Sequence, residues 1–387
     1  MYSGMFAPRD AAHLLRRAAV VGNKEAALGL AEMGLSKAVD SLLRTPAMPA
    51  DPVLPGDYKE ARSKGLPIIV KRWLDHWLRT PTPAAERLTL FWHGHFTSEY
   101  KKVRRPLLMW RQSNTFRKLG KGDFAGLLES VARDPAMLIY LDNFRSHKQH
   151  PNENWGRELL ELFTIGVGHY GESDVMASTH AFTGWSLTSL KKARESGVSP
   201  RFAFKKEWHD YSPKIFLGKQ VEGGEDVLEL LSSLPQTYLR IASKLLRFYL
   251  TPEPDKEIVE KAADVLRGGG VYEMLRWLFT HEVFYQDEVR LSLTKSPFEF
   301  LVGLLYAAPV RLEQRAASGI LATMGQLPFQ PPGVEGWISG ERWLEDSPLL
   351  VRMKLLARAE KLESDLFVFA DGYSASPLAA SPEAQLL

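Results

Sequence analysis

The chain has 387 residues, which suits two average domains or one large helical domain with a well-covered core. Hydrophobic residues at 45% and charged residues at 25% are ordinary for a globular protein, and a formal net charge of +3 is too small to argue for nucleic acid or an anionic membrane surface. With no cysteine there are no disulfides, thiol nucleophiles or Cys-ligated metal centres, so any metal must sit among His, Asp, Glu and Asn side chains.

The opening MYSGMFAPRDAAHLLRRAAVVG has no charged segment followed by a long apolar one. No run reaches the roughly 18 apolar residues of a membrane span, so the chain as written is expected to be soluble, unprocessed and cytoplasmic. Asp10 is expected to cap a first helix, and a second amphipathic helix is expected over about 24–43. Four prolines in Thr45–Gly56 mark an irregular connection. Helices follow over 58–78 and from the Pro-Thr-Pro at 81–83 into Phe91-Trp92-His93-Gly94-His95-Phe96. Two imidazoles among aromatics are candidate metal ligands, general bases or hydrogen-bonded core histidines. A basic, aromatic helix is expected over 101–119, then one capped by Asp123 and one opened by Pro135.

Asn152–Gly184, NENWGRELLELFTIGVGHYGESDVMASTHAFTG, carries the most chemistry. If 151–166 is one helix with about 100° between residues, Trp155, Leu159, Leu162, Phe163 and Ile165 share an apolar arc and Glu158 falls inside it. A carboxylate there needs a metal, Arg or His partner. The glycines of 166–171 read as a helix end and tight turn, since no strand precedes them and no phosphate-loop Lys follows. A helix follows over 172–183 with Ser173 as its cap, and 186–200 reads as a polar surface excursion. RFAFKKEWHDYSPKIFLGK at 201–219 alternates around Tyr-Ser-Pro and predicts a β-hairpin with His209 and Asp210 at its mouth. Helical patterns return over 226–250 and 255–284, from Ser296-Pro297, over 313–324 and over 347–361. The Pro-, Gly- and Trp-rich segment 325–343 between the last two is expected to be ordered by its tryptophans. A Ser/Ala/Pro-rich tail from Asp371 is expected to be mobile. The fold expectation is mainly α: one multi-helical domain over 1–370 with a small β-hairpin insertion at about 200–220, and a tail over 371–387.

In order, HLLRRA (13–18), ERLTLFWHGHF (86–96), DPAMLIYLDN (134–143), NENWGRELLELFTIGVGHY (152–170), AFTGW (181–185), HDYSPKIFLG (209–218) and GQLPFQPPGVEGW (325–337) resemble the bacterial domain-of-unknown-function family 1800 over roughly residues 10–360. The sequence departs from the family at Trp155-Gly156, where Phe-Ala is more usual, and at Glu345-Asp346, where an Asn-containing end is commoner. The resemblance implies no settled reaction. It implies frequent export and gene neighbourhood with a second uncharacterised family similar to sulfatases and alkaline phosphatases.

Three functions are compatible with these residues. The first is a hydrolase or oxidase with a divalent metal held by His93, His95, Glu158 and His169, and with Glu158, Glu161, His209 and Asp210 as catalytic groups. A second is a metal-free carbohydrate-active enzyme using paired Glu residues from Glu153, Glu158 and Glu161. The third is a non-enzymatic partner or scaffold for a secreted sulfatase-like protein, with Glu158 paired to a buried Arg such as Arg16, Arg17 or Arg117. Serine-hydrolase, P-loop, Rossmann and DNA-reading motifs are absent.

Overall fold

The computed structural model describes residues 2, 4–191, 199–308, 310–337, 340–361 and 367–369. The tail expected from Asp371 lies outside them, as does the middle of the 186–200 excursion. Among the described residues no helix is long and apolar enough to cross a membrane.

The protein is mainly α, and its centre is the helix Pro83–His95, which is buried on almost every side. Pro83 opens it with a preset φ and no wasted N–H. Around it pack the helices Pro8–Ala18, Tyr58–Arg79 and Pro106–Leu119. The helix Pro235–Tyr249 reaches it through Phe248, whose ring lies 5.4 Å from that of Phe91, and itself packs against the long helix Lys256–Thr280. Six tryptophans, 73, 77, 92, 110, 155 and 185, are among the largest fully buried side chains. They therefore build the core and offer no exposed stacking surface.

Several local signals act as their chemistry dictates. Asp123 accepts from the Gly126 amide at 2.7 Å and starts Phe124–Ala132, and Asp134 accepts from the Ala136 and Met137 amides to start Pro135–Tyr140. Ser296 and Glu299 form a reciprocal capping box on Pro297–Ala307. Other ends differ from expectation. Ala7, not Asp10, caps the first helix; Pro8 stands at its first turn, and the Asp10 carboxylate reaches back to the Ala7 amide at 2.9 Å. Gly171, not Ser173, caps Glu172–Ala181, with Asp174 reaching back to its amide at 2.8 Å. The helix expected over 24–43 breaks at Gly34 into Lys24–Met33 and Leu35–Leu42, and that over 101–119 breaks at Arg104, which is left-handed.

The β insertion is built differently from one hairpin around Tyr-Ser-Pro. Phe202–Phe204 pairs back, antiparallel, with Trp185–Leu187, while Lys214–Phe216 pairs forward with Lys219–Val221 across Leu217-Gly218. Ser186 is therefore a buried strand residue, its hydroxyl donating to the Phe144 carbonyl at 2.6 Å. A third short pair joins Val310–Leu312 to Phe367–Phe369.

The fully buried carboxylate of the core is Glu86, not Glu158. Glu86 receives the Arg117 guanidinium at 2.9 and 3.0 Å, the Trp73 indole N–H at 2.7 Å and His76 Nε2 at 3.2 Å. Burial by itself would raise its pKa, but Arg117 and His76 outweigh it and hold Glu86 down to about 2.

Candidate functional site: a carboxylate pair on a wide helical turn

The 151–166 segment is not one regular helix. Asn154–Glu158 is a short α-helix that continues as a π-helical turn over Leu159–Phe163. Asn152 Oδ1 accepts from the Asn154 amide at 3.0 Å, a local turn that explains the polar triplet. In a π turn the i→i+5 pattern advances less than 100° per residue, so the helical wheel fails beyond Glu158. The carbonyls left over by the wide turn find partners elsewhere. Arg240 donates to the Glu161 carbonyl at 2.7 Å, Lys244 to that of Leu162 at 3.3 Å, and His95 Nε2 to that of Phe163 at 3.2 Å. On the other side, Gly156 lets the helix lie against Glu172–Ala181; a Cβ there would stand 2.9 Å from Thr179 Oγ1.

Glu158 is consequently half-buried, and among the described residues its carboxylate takes no hydrogen bond or ion pair. Neither Arg16, Arg17 nor Arg117 reaches it: Arg117 belongs to Glu86, and Arg16 and Arg17 line a cleft elsewhere. Burial first, then the charge of Glu161 and, further off, Glu335, raise its pKa, with Arg157 opposing. Arg157 itself turns outward to Glu172 at 2.7 Å. Glu161 accepts from the Tyr170 hydroxyl at 3.3 Å. The Tyr140 phenol beneath is pushed up to about 12 by burial and by Glu99 and Glu158. Lys244, behind the turn, is brought down to about 7 by burial and by Arg240 and Arg247.

Glu335 arrives on the segment expected to be ordered over 325–343, of which residues 338 and 339 lie outside the described residues; the part over 325–337 packs onto the central helix through Phe329 and Trp337. Phe329 is fully buried, and Trp337 lies 5.2 Å from the His93 ring. Gly336, at φ 91°, presses against the Gly94 carbonyl, where a Cβ would stand at 2.5 Å. Only glycine combines that φ with that approach.

Each candidate residue has a definite place. His93 Nε2 accepts from the Phe329 amide at 2.9 Å, so its proton sits on Nδ1, and burial lowers its pKa to about 3. His95 is also fully buried and its pKa is lowered; Nε2 serves the Phe163 carbonyl, and Nδ1 faces Lys244 Nζ at 3.0 Å. Both imidazoles therefore tie the central helix to its neighbours. His169 is exposed on the turn that follows the π-helical segment. His209 is buried, with Nδ1 2.8 Å from the Thr183 carbonyl, while Asp210 binds not its sequence neighbour but His180, at 2.7 Å to Nδ1. Asp210 also accepts from the Ser212 amide and hydroxyl; these bonds and His180 outweigh its burial and hold it down to about 2. Glu158 and Glu161 thus come together on one turn, His95 stands behind it, His93 belongs instead to the contact with Phe329 and Trp337, and Asp210 belongs to a separate pair. Among the described residues no three His, Asp or Glu side chains are placed to hold one metal ion.

Sequence reasoning missed His180, Arg240 and Lys244. His180 lies within ASTHAFTGW, but its partner is 30 residues away. Arg240 and Lys244 had a readable signal: they are one helical turn apart, beside the buried Ile241, Ala242 and Leu245.

Fold and site together define a mainly helical protein with a carboxylate pair on a π turn. The family described as protein of unknown function (DUF1800) matches residues 13–382, and the chain belongs to it. No curated protein and no solved structure matches it.

Proposed function

We propose that the Glu158/Glu161 pair is the acid–base site of a hydrolytic enzyme acting on a neutral, polyhydroxylated substrate such as a glycoside. The observation that carries this reading is the unequal carboxylate pair. Glu158 is half-buried, without a partner and with a raised pKa, whereas Glu161 accepts from Tyr170 on the same turn. Like carboxylates in unlike environments divide the acid and base roles. Glu158 gives its proton to the leaving oxygen as the C–O bond breaks; Glu161 takes a proton from the water whose oxygen forms the new C–O bond. The further carboxylates of Glu99 and Glu335 disfavour anionic substrates, and Tyr170 and Gln330 offer hydroxyl and amide groups to a polyol.

The test is hydrolysis of a panel of nitrophenyl glycosides and neutral polysaccharides, with and without EDTA. Activity that survives EDTA and falls by about 10² or more in Glu158→Gln supports the proposal. Activity lost to EDTA and restored by a divalent metal would favour a metal-dependent hydrolase instead, and no turnover across the panel would refute a glycoside substrate.

A further inference from the structure

A cleft lies between Pro8–Ala18 and the segment 290–299, and its lining is cationic. Arg16, Arg17, Arg87, Arg290 and Lys295 meet there with one carboxylate, Glu299. Some of these cations are fully employed. Arg87 donates Nε to Glu299 at 2.6 Å, another nitrogen to the Phe248 carbonyl at 3.1 Å, and a third to the Arg17 carbonyl. Arg17 bonds the Val289 carbonyl and the Ser292 hydroxyl. Arg290 holds Asp10 at 2.6 Å and Asp287 at 3.2 Å.

Others have nitrogen donors to spare. Arg16 Nε and Arg290 Nη1 are buried with no hydrogen-bond partner among the described residues. Lys295 is half-buried, and its ammonium makes no hydrogen bond or ion pair among the described residues; burial and the neighbouring arginines pull its pKa down to about 8. Beside it, the wholly buried Arg352 spends one nitrogen on the Lys295 carbonyl at 2.8 Å and leaves Nε and Nη1 unpaired. Six buried or half-buried cations thus share two buried carboxylates, Glu299 and Asp10. Packing like charges in a low-dielectric site is strongly unfavourable without a counter-charge, and unpaired guanidinium N–H groups suit a multi-oxygen anion. The cavity is small, about 20 Å³. It therefore admits a compact terminal group while the rest of a ligand stays outside.

We infer that this cleft binds a dianionic tetrahedral oxyanion, phosphate or sulfate, either free or as the end of an ester, on the spare donors of its lining residues Arg16, Arg290 and Lys295. The site is distinct from the Glu158/Glu161 pair. Arg87 and His95 mark the two ends on the central helix, eight residues or about 12 Å apart at 1.5 Å per residue.

The probes are inorganic phosphate and inorganic sulfate, titrated by calorimetry into full-length protein dialysed free of both, with sodium chloride at matched ionic strength as control. Saturable binding of either anion above the chloride control, weakened at least tenfold in Lys295→Gln and in Arg16→Gln, is the expected result. The preferred anion, retested as its methyl monoester, distinguishes a free-ion site from an ester-end site. In anion-free buffer, Lys295→Gln should also melt at a higher temperature than wild type, because it removes an uncompensated cation. Binding no stronger than chloride, or saturable binding that both variants leave unchanged, would overturn the inference.

Discussion

Replacing Glu86 by Gln removes the charge that neutralises Arg117 while nearly conserving shape. Arg117 Nε and Nη2, the Trp73 indole and His76 all converge on this one carboxylate, and both side chains of the ion pair are 0% exposed. Breaking a buried pair by removing one partner costs about 3–5 kcal/mol. At roughly 2.1 cal/mol/K per residue of unfolding entropy, that loss lowers the melting temperature of a chain of 387 residues by about 4–6 °C. The difference should depend on pH. Because the folded-state pKa of Glu86 is depressed to about 2, its contribution is complete above the ordinary Glu value and is lost as pH falls through the interval towards 2. Calorimetric melting at pH 7, repeated between pH 5 and pH 3, reads both effects. Converting the pair together, Glu86→Leu with Arg117→Met, should recover part of the loss. A Glu86→Gln protein melting within about 1 °C of wild type at pH 7 would refute the claim that this network anchors the core.

Gly336→Ala should cost at least about 2 kcal/mol, since the new Cβ meets the Gly94 carbonyl at a φ that L side chains rarely adopt; urea denaturation measures it, and a neutral result would show that the loop can move off the central helix. Lys244 offers a pH signature. Its folded pKa of about 7 lies below the ordinary lysine value, so the unfolded state binds the extra proton between the two and stability rises with pH across that window. Urea midpoints at pH 7 and pH 9 should show a smaller rise in Lys244→Met than in wild type; equal rises would mean that Lys244 does not titrate there.

Features determined by a few adjacent residues were readable in the sequence. Asp123, Pro135, and Ser296 with Pro297 start helices where expected, because a helix start needs only its own next two or three residues. The mainly helical character and the ordering of the 325–337 loop by Phe329 and Trp337 were legible for the same reason: their apolar residues are numerous and regularly placed. What depended on distant partners was not. The π turn exists because Arg240, Lys244 and His95 stand ready to take its spare carbonyls, and nothing within 152–166 announces them. A regular wheel therefore placed Glu158 in the core, whereas the structure leaves it half-buried and buries Glu86 instead. The adjacent letters His209-Asp210 likewise suggested a pair, but successive residues in extended chain point apart, and Asp210 reaches His180.

The central claim is that Glu158 holds a proton to higher pH than an ordinary glutamate because of burial and the neighbouring Glu161. Carboxyl ¹³C NMR of protein labelled at glutamate, with Glu158→Gln to assign the resonance, measures this directly. The account predicts a Glu158 titration above the usual carboxylate range that moves down in Glu161→Gln; a Glu158 that titrates at or below that range, or that ignores the loss of Glu161, would contradict it.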